Sequence, residues 1–191
     1  MLLLARDDAR GALLLERCEP GTHLSESAEP LDVLMGLVPR LWKNADGFLP
    51  LEEEAAIWAG SVEREVADPR LKEVALRYID ELVPTQGDQV LVHQDLHGEN
   101  VLAAEREPWL VIDPKPLAGE REFSVASVVR SFELGHSKRD VLHRLDTLCA
   151  GLGLDRERAK AWTVAQTIAW SGGSDYVAPH METVQCLLED S

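Results

Sequence analysis

Disulfide chemistry has little to work with in this chain. Three cysteines, Cys18, Cys149 and Cys186, are scattered and odd in number, with no CxxC pair. A disulfide framework is thereby excluded, and a reducing, cytoplasmic setting is expected. Long hydrophobic runs are also missing. The opening MLLLA gives way to Asp7 and Asp8, too short for a signal segment and far short of the roughly 20 apolar residues that span a bilayer. Positive charge is scarce as well, with 19 Lys and Arg against 34 Asp and Glu, a net charge of −15. Such a balance repels nucleic acid and anionic membranes, and fits equally an acidic cleft that draws cationic ligands or an acidic surface kept for solubility. Internal repeats and low-complexity tracts are absent too.

What is present is an ordinary globular composition, 45% hydrophobic and 28% charged, over 191 residues. That length suits one domain or one large lobe. MLLLA, the polar DDARG and ALLLERC predict a β-hairpin over residues 1–18, closed by Pro20 and Gly21. Helical spacing runs from Leu31 to Asn44, with Pro39 expected to kink or split it. Helices follow over 51–65 and 69–83, the second behind an Asp68-Pro69 start. The period then changes. QVLVH (89–93), NVLAA (100–104) and WLVI (109–112) predict three short strands. Helices return over 122–134, 138–151, 155–171 and 180–189, separated by Gly135, Gly151-Leu-Gly153 and Gly172-Gly173. The class is α+β: a leading hairpin, helices, a small central β insert, then more helices.

The densest chemistry lies in LVHQDLHGENVL, residues 91–102. So many polar groups between apolar runs must be solvated or paired. The first strand delivers Asp95 into a loop that ends at Asn100. The turn at Glu105–Pro108 sends WLVI back antiparallel, so Asp113 arrives beside Asn100. Asn100 and Asp113 are hard oxygen ligands suited to Mg²⁺. Asp95 is placed to accept a proton from a hydroxyl attacking phosphorus. Asp, four residues, Asn, then a later Asp on a returning strand is the kinase arrangement. A rival reading gives zinc to His93, Asp95 and His97, with a further ligand from His136, His143 or His180. None of those three has the paired spacing of a zinc motif.

VHQDLHGENVL followed by WLVIDPKPLAGE resembles the aminoglycoside phosphotransferase family, whose fold is protein-kinase-like. The IDPKP ending looks most like the streptomycin kinase and hydroxyurea phosphotransferase branch. The resemblance runs from the hairpin to about residue 135. It implies ATP-dependent phosphorylation of a small-molecule hydroxyl, most plausibly on an aminoglycoside such as streptomycin, with ATP and Mg²⁺ as cofactors. It implies Asp95 as the catalytic residue and Asn100 and Asp113 as magnesium ligands. It also implies that backbone groups around Glu16, Arg17 and Cys18 read adenine. Residues 1–22 would then be the hinge hairpin of the small lobe and 23–191 the helical catalytic lobe.

Three departures stand out. Gln94 replaces a common glycine. Ser124 in EFSVAS stands where an aspartate commonly opens the next helix and braces the loop; serine is expected to cap that helix instead. No lysine precedes Lys43, and no G-x-G-x-x-G occurs, Gly151-Leu-Gly153 lacking the third glycine. These are the parts that grip nucleotide phosphates in kinases, and the expectation is a chain truncated at its N-terminus. An inactive remnant and a small-metabolite kinase of the same fold stay open beside the aminoglycoside kinase. Glu52, Glu53, Glu54 and Glu120 are the candidates for attracting a cationic acceptor.

Overall fold

The computed structural model describes residues 1–172 and 177–190. Two strands, β1 (Leu3–Asp7) and β2 (Ala12–Leu15), pair antiparallel as the leading hairpin, with Gly11 in the left-handed conformation at its turn. Leu2, Leu3, Leu4, Leu13, Leu14 and Leu15 are 39% to 63% exposed, so this ribbon buries little of its apolar surface. It leans on the rest through the Glu16 carboxylate, which accepts from Arg106 Nε and Nη2 at 2.7 and 2.9 Å.

The first helix, α1 (Pro30–Leu41), runs through Pro39 as one element and ends at Trp42. Proline therefore does not split this run. It sits in the last turn, two residues before the helix ends at Leu41, and Trp42 closes that turn by donating to its carbonyl at 3.2 Å. Helices α2 (Leu51–Glu65) and α3 (Pro69–Leu82) follow, the latter capped by Asp68, which accepts from the amides of Arg70 and Leu71. Then come β3 (Gln89–His93), β4 (Val101–Ala103), β5 (Trp109–Val111) and β6 (Pro116–Glu120). β4 pairs antiparallel with β5, Val101 opposite Val111, as the sequence predicts.

The sixth strand is the finding that sequence reading missed. PLAGE has no β-branched residue and carries a proline and a glycine, so it reads as loop. It forms because β3 needs a partner, and Val92 sits opposite Leu117. Proline is tolerated as its first residue. Gly119 is there for space: a Cβ at this position would come within 3.0 Å of Leu51 Cδ2 and 3.2 Å of Leu51 Cβ. Leu51 is fully buried, so it has no room to yield. Gly119→Val is therefore expected to destabilise the fold by about 1–3 kcal/mol, although valine suits a strand. A urea midpoint at or above wild type would refute this packing.

The predicted helix over 122–134 is broken. It resolves into a 3₁₀ stretch (Arg121–Val125), the short α4 (Ala126–Val129) and another 3₁₀ turn (Phe132–Leu134). Every residue from Phe123 to Ser131 is buried, so no exposed helical face exists. The break has a specific cause in Arg144, 2% exposed, on α5 (Lys138–Leu152). Its guanidinium donates to the carbonyls of Val129, Leu134 and Gly135, at 2.7 to 3.2 Å. Carbonyls that would continue a helix are taken by a side chain instead. Ser124 does not cap this segment: its hydroxyl accepts from Trp42 Nε1 and donates to the Arg121 carbonyl.

Helix α6 (Arg156–Trp170) is the axis of the core, and α7 (Ala178–Leu188) packs against it. α5 starts on a Ser137–Asp140 capping box and ends at left-handed Gly153; Asp155 caps α6. Trp162 meets Trp58 and Phe123 at ring-centroid distances of 6.4 and 5.6 Å. Gly172 lies in the turn after α6, while Gly173 falls outside the described residues. No described helix is long and apolar enough to cross a membrane.

Candidate active site

Strand β3 ends at His93, and the polar loop begins. His93 is 6% exposed, and burial lowers its pKa. Its Nδ1 accepts the Asp95 amide at 3.1 Å, and Nε2 faces the Ile112 carbonyl at 3.3 Å. The ring thus ties the loop to the strand end that carries Asp113. Asn100 Nδ2 donates to the Asp95 carbonyl at 2.9 Å and lies 3.0 Å from His97 Nε2. Across the β4–β5 pair, the Ile112 amide donates to the Asn100 carbonyl at 3.0 Å. Two strand ends and one loop thus bring Asn100 onto Asp95 and place Asp113 next in the chain to the Ile112–Asn100 bond.

The Asp95 carboxylate has two cationic partners that sequence reading did not assign. Lys115 Nζ donates to Oδ2 at 2.6 Å, and Arg130 Nη2 donates to Oδ1 at 3.1 Å. Burial alone would raise the Asp95 pKa, but the Lys115 hydrogen bond and the charges of Arg130, Lys115 and His97 bring it below the ordinary aspartate value. Arg130 is buried, and desolvation lowers its pKa to about 10, so it stays charged at neutral pH. Its Nη1 donates to Gln166 Oε1 at 3.0 Å, and its guanidinium carbon stands 4.5 Å from the Trp170 ring centroid. Gln166 in turn donates from Nε2 to the Gln94 carbonyl at 3.0 Å. The brace expected from the Ser124 position comes instead from α6 and the segment after α4.

Both departures in the loop are accommodated. Gln94 is not among the positive-φ residues, so glycine is not required there. Gly98 is required for another reason: a Cβ would lie 3.1 Å from the Ser25 backbone. Its amide donates to Glu133 Oε1 at 3.0 Å. Asp113 has φ +47°, a left-handed conformation that aspartate tolerates better than most residues.

A pocket of about 170 Å³ opens beside Asp95. Arg130, Glu99, Glu133, Phe132, Ser127 and His180 contribute to its wall. The Ser127 hydroxyl is buried and has no partner among the described residues. Burial lowers the His180 pKa to about 4, so that ring is neutral at pH 7. The acids here are Glu99 and Glu133, not those expected. Glu120 is 1% exposed and occupied elsewhere, accepting from Arg158 Nε at 2.6 Å and from Trp162 Nε1. Glu54 accepts from Trp58 Nε1, and neither Glu52 nor Glu53 lines the pocket.

Asn100 and Asp113, the residues expected to bind magnesium, have the chemistry for it. With Nδ2 held by the Asp95 carbonyl, Asn100 keeps its Oδ1 free of protein donors among the described residues. The exposed Asp113 carboxylate likewise has no hydrogen-bond or salt-bridge partner among them. Two unspent hard oxygens at neighbouring chain ends suit Mg²⁺, which keeps other positions for water and phosphate. The zinc reading fares differently. Among the described residues, no group of three His, Cys, Asp or Glu side chains gathers to hold a metal.

At the other end, the Glu16 amide donates to the Leu2 carbonyl at 2.9 Å, and Arg106 brings the Glu16 carboxyl to about 2. Arg17 pairs with Glu19 at 3.1 Å, and Cys18 is a free thiol. The amides of Arg17 and Cys18 make no hydrogen bond among the described residues. An apolar cleft of about 400 Å³ lies between the hairpin leucines and Leu91, Val111 and Pro114.

Comparison with known proteins follows the same lines. A family model described as aminoglycoside/hydroxyurea antibiotic resistance kinase matches residues 1–174. The hydroxyurea phosphotransferase of Kitasatospora aureofaciens is 41% identical over 180 residues, 87% of this chain and 52% of that protein. The streptomycin 6-kinase of Streptomyces griseus is 40% identical over 183 residues, 87% and 59%. The chain thus spans a little over half the length of these relatives. Among solved structures, the choline kinase LicA from Streptococcus pneumoniae matches with a TM-score of 0.71 at 16% identity, over 98% of this chain and 74% of that one. That likeness shows the protein-kinase-like fold.

Proposed function

The chain belongs to the aminoglycoside/hydroxyurea antibiotic resistance kinase family, and on that premise we propose that it carries the catalytic half of an ATP-dependent small-molecule O-phosphotransferase. The observation that carries the reading is the Asp95–Asn100–Asp113 assembly, closed by the Asn100 side chain on the Asp95 carbonyl at 2.9 Å. The chain's relatives, a hydroxyurea phosphotransferase and a streptomycin 6-kinase, point to hydroxyurea or streptomycin as acceptor.

The acceptor hydroxyl binds in the pocket beside Asp95. Its oxygen forms a bond to the γ-phosphorus as the bond to the β,γ-bridging oxygen breaks and ADP departs. Asp95 aligns the hydroxyl and accepts its proton, which then passes to solvent. A carboxylate held below its ordinary pKa is a weak base, so alignment is its larger contribution. This suits a loose transition state, in which the proton leaves late. Asn100 and Asp113 would hold Mg²⁺, which would supply charge neutralisation on the nucleotide phosphates. Glu99 and Glu133 give the pocket the negative charge that a cationic acceptor seeks. The apolar cleft bordered by the hairpin accommodates the flat face of adenine, near the free amides of Arg17 and Cys18. Residues 1–22 in this reading belong to the nucleotide side, and 23–191 form the catalytic lobe.

Incubated with Mg²⁺ and γ-labelled ATP, the chain is expected to transfer label to streptomycin or hydroxyurea. Label that reaches only inorganic phosphate, whichever acceptor is supplied, would contradict acceptor phosphorylation.

A further inference from the structure

Asp95 is over-neutralised. One carboxylate faces two cations, in a protein whose net charge is −15. The two cations are not equivalent. Arg130 is 5% exposed at its side chain, with its fork divided between Asp95 and Gln166 and its plane on Trp170. That guanidinium is buried and positioned by two hydrogen bonds and the indole, and it holds one oxygen of the carboxylate. Lys115 is 46% exposed at its side chain. Its ammonium touches Asp95 at 2.6 Å and stands 5.5 Å from the Trp170 centroid, with no other partner among the described residues. An ammonium has three donors; one goes to Asp95, and two face outward.

The backbone fixes where they face. Lys115 lies between Pro114 and Pro116, whose rings restrict the chain on both sides. Its carbonyl accepts the Gln94 amide at 3.1 Å, so Lys115 and the Asp95 loop are pinned to each other. Two residues earlier stands Asp113, beside Asn100. A flexible, compact positive charge is therefore held on the carboxylate that meets the acceptor, by a segment that starts two residues earlier at Asp113. That is where the transferred phosphoryl group must pass, with its charge spread over three equatorial oxygens.

We propose that Lys115 is a catalytic residue whose ammonium binds the oxygens of the phosphoryl group in transfer, while Arg130 alone holds Asp95 in place. The proposal rests on the phosphotransfer reading of Asp95. It gives this chain its own phosphate-binding cation, supplied by the loop after β5. Donors preset at developing charge are the most effective kind, because they need no rearrangement in the transition state.

The test uses the intact chain and inorganic tripolyphosphate, titrated calorimetrically at low salt. Wild type is expected to bind. Lys115→Met is expected to weaken binding about tenfold or more, the loss of a charge-assisted hydrogen bond, and Lys115→Arg to restore most of it. Asp95→Asn is expected to bind more tightly, since it removes a negative charge and frees the third ammonium donor. Lys115→Met binding as tightly as wild type overturns the proposal, and so does the absence of wild-type binding at millimolar ligand. Thermal unfolding of each variant shows whether it is folded; if Lys115→Met does not fold, Lys115→Gln serves the same comparison. Failure of the two readings is distinguishable. Wild-type turnover retained in full by Lys115→Met removes this proposal alone. Lysine-dependent binding of tripolyphosphate without transfer to any acceptor removes the kinase reading and leaves the anion site.

Discussion

Asparagine in place of Asp95 is expected to lower the rate of phosphoryl transfer about 10²- to 10⁴-fold, the range for losing a positioned proton acceptor. Nucleotide binding is not expected to weaken. The substitution keeps the shape of the side chain, and its Oδ1 still accepts from Arg130, so the loop stays closed by the Asn100 bond to the residue-95 carbonyl. What is lost is the anion that aligns the acceptor hydroxyl. The same change has a signature in stability. Because the folded pKa of Asp95 is depressed, its ionisation contributes stability fully above the unfolded value of about 3.9. That contribution disappears as pH falls through the folded value. Asp95→Asn is therefore expected to flatten the acid limb of stability against pH below the ordinary aspartate range. A variant with wild-type turnover would show that Asp95 does not meet the reacting group.

The largest expected loss of stability lies away from the site, at Glu120. This carboxylate ends β6 and is 1% exposed. It accepts from Arg158 Nε at 2.6 Å, from the Gly87 amide at 3.0 Å and from the indole of Trp162, the largest fully buried side chain. Three elements thus meet at one side chain: the turn before β3, the end of β6 and two successive turns of α6. Glu120→Ala strands a buried indole donor, an amide and a guanidinium together. Removing one member of a buried ion pair costs about 3–5 kcal/mol, and the partly exposed Arg158 places this case near the lower end. Glu120→Gln is expected to cost less, because its one oxygen still accepts from Trp162 and Arg158, while the charge is lost and the new amide nitrogen faces the Gly87 donor. Chemical denaturation of both variants reads the difference. Equal, small losses would mean that water replaces the carboxylate easily.

What the sequence made legible follows from how local each signal is. The hairpin, the β4–β5 pair and the later helices came from period and punctuation within ten or fifteen residues. Asp95, Asn100 and Asp113 were readable because their spacing is set by one loop and one turn. β6 was not readable, because PLAGE becomes a strand only through its long-range pairing with β3 and the space it leaves for Leu51. The broken segment after Arg121 depends on Arg144, a residue of the following helix, capturing three carbonyls. Arg130 offered a usable signal: a single base inside the buried run SVASVVRSF must find a partner. Its partner is Asp95. Lys115 was visible in IDPKP, but nothing local says that its ammonium turns back to Asp95. Glu120 shows the opposite error, an acid that reads as a surface group and is in fact among the most buried.

The central claim is that the Asp95 loop directs a phosphoryl group from ATP onto an acceptor hydroxyl. Phosphorus NMR of the purified chain with ATP, Mg²⁺ and streptomycin, run beside Asp95→Asn, tests it most directly. The account predicts a phosphomonoester resonance that grows in step with ADP for wild type and is all but absent for the variant. No phosphomonoester with streptomycin or with hydroxyurea, or equal formation by both proteins, would contradict it.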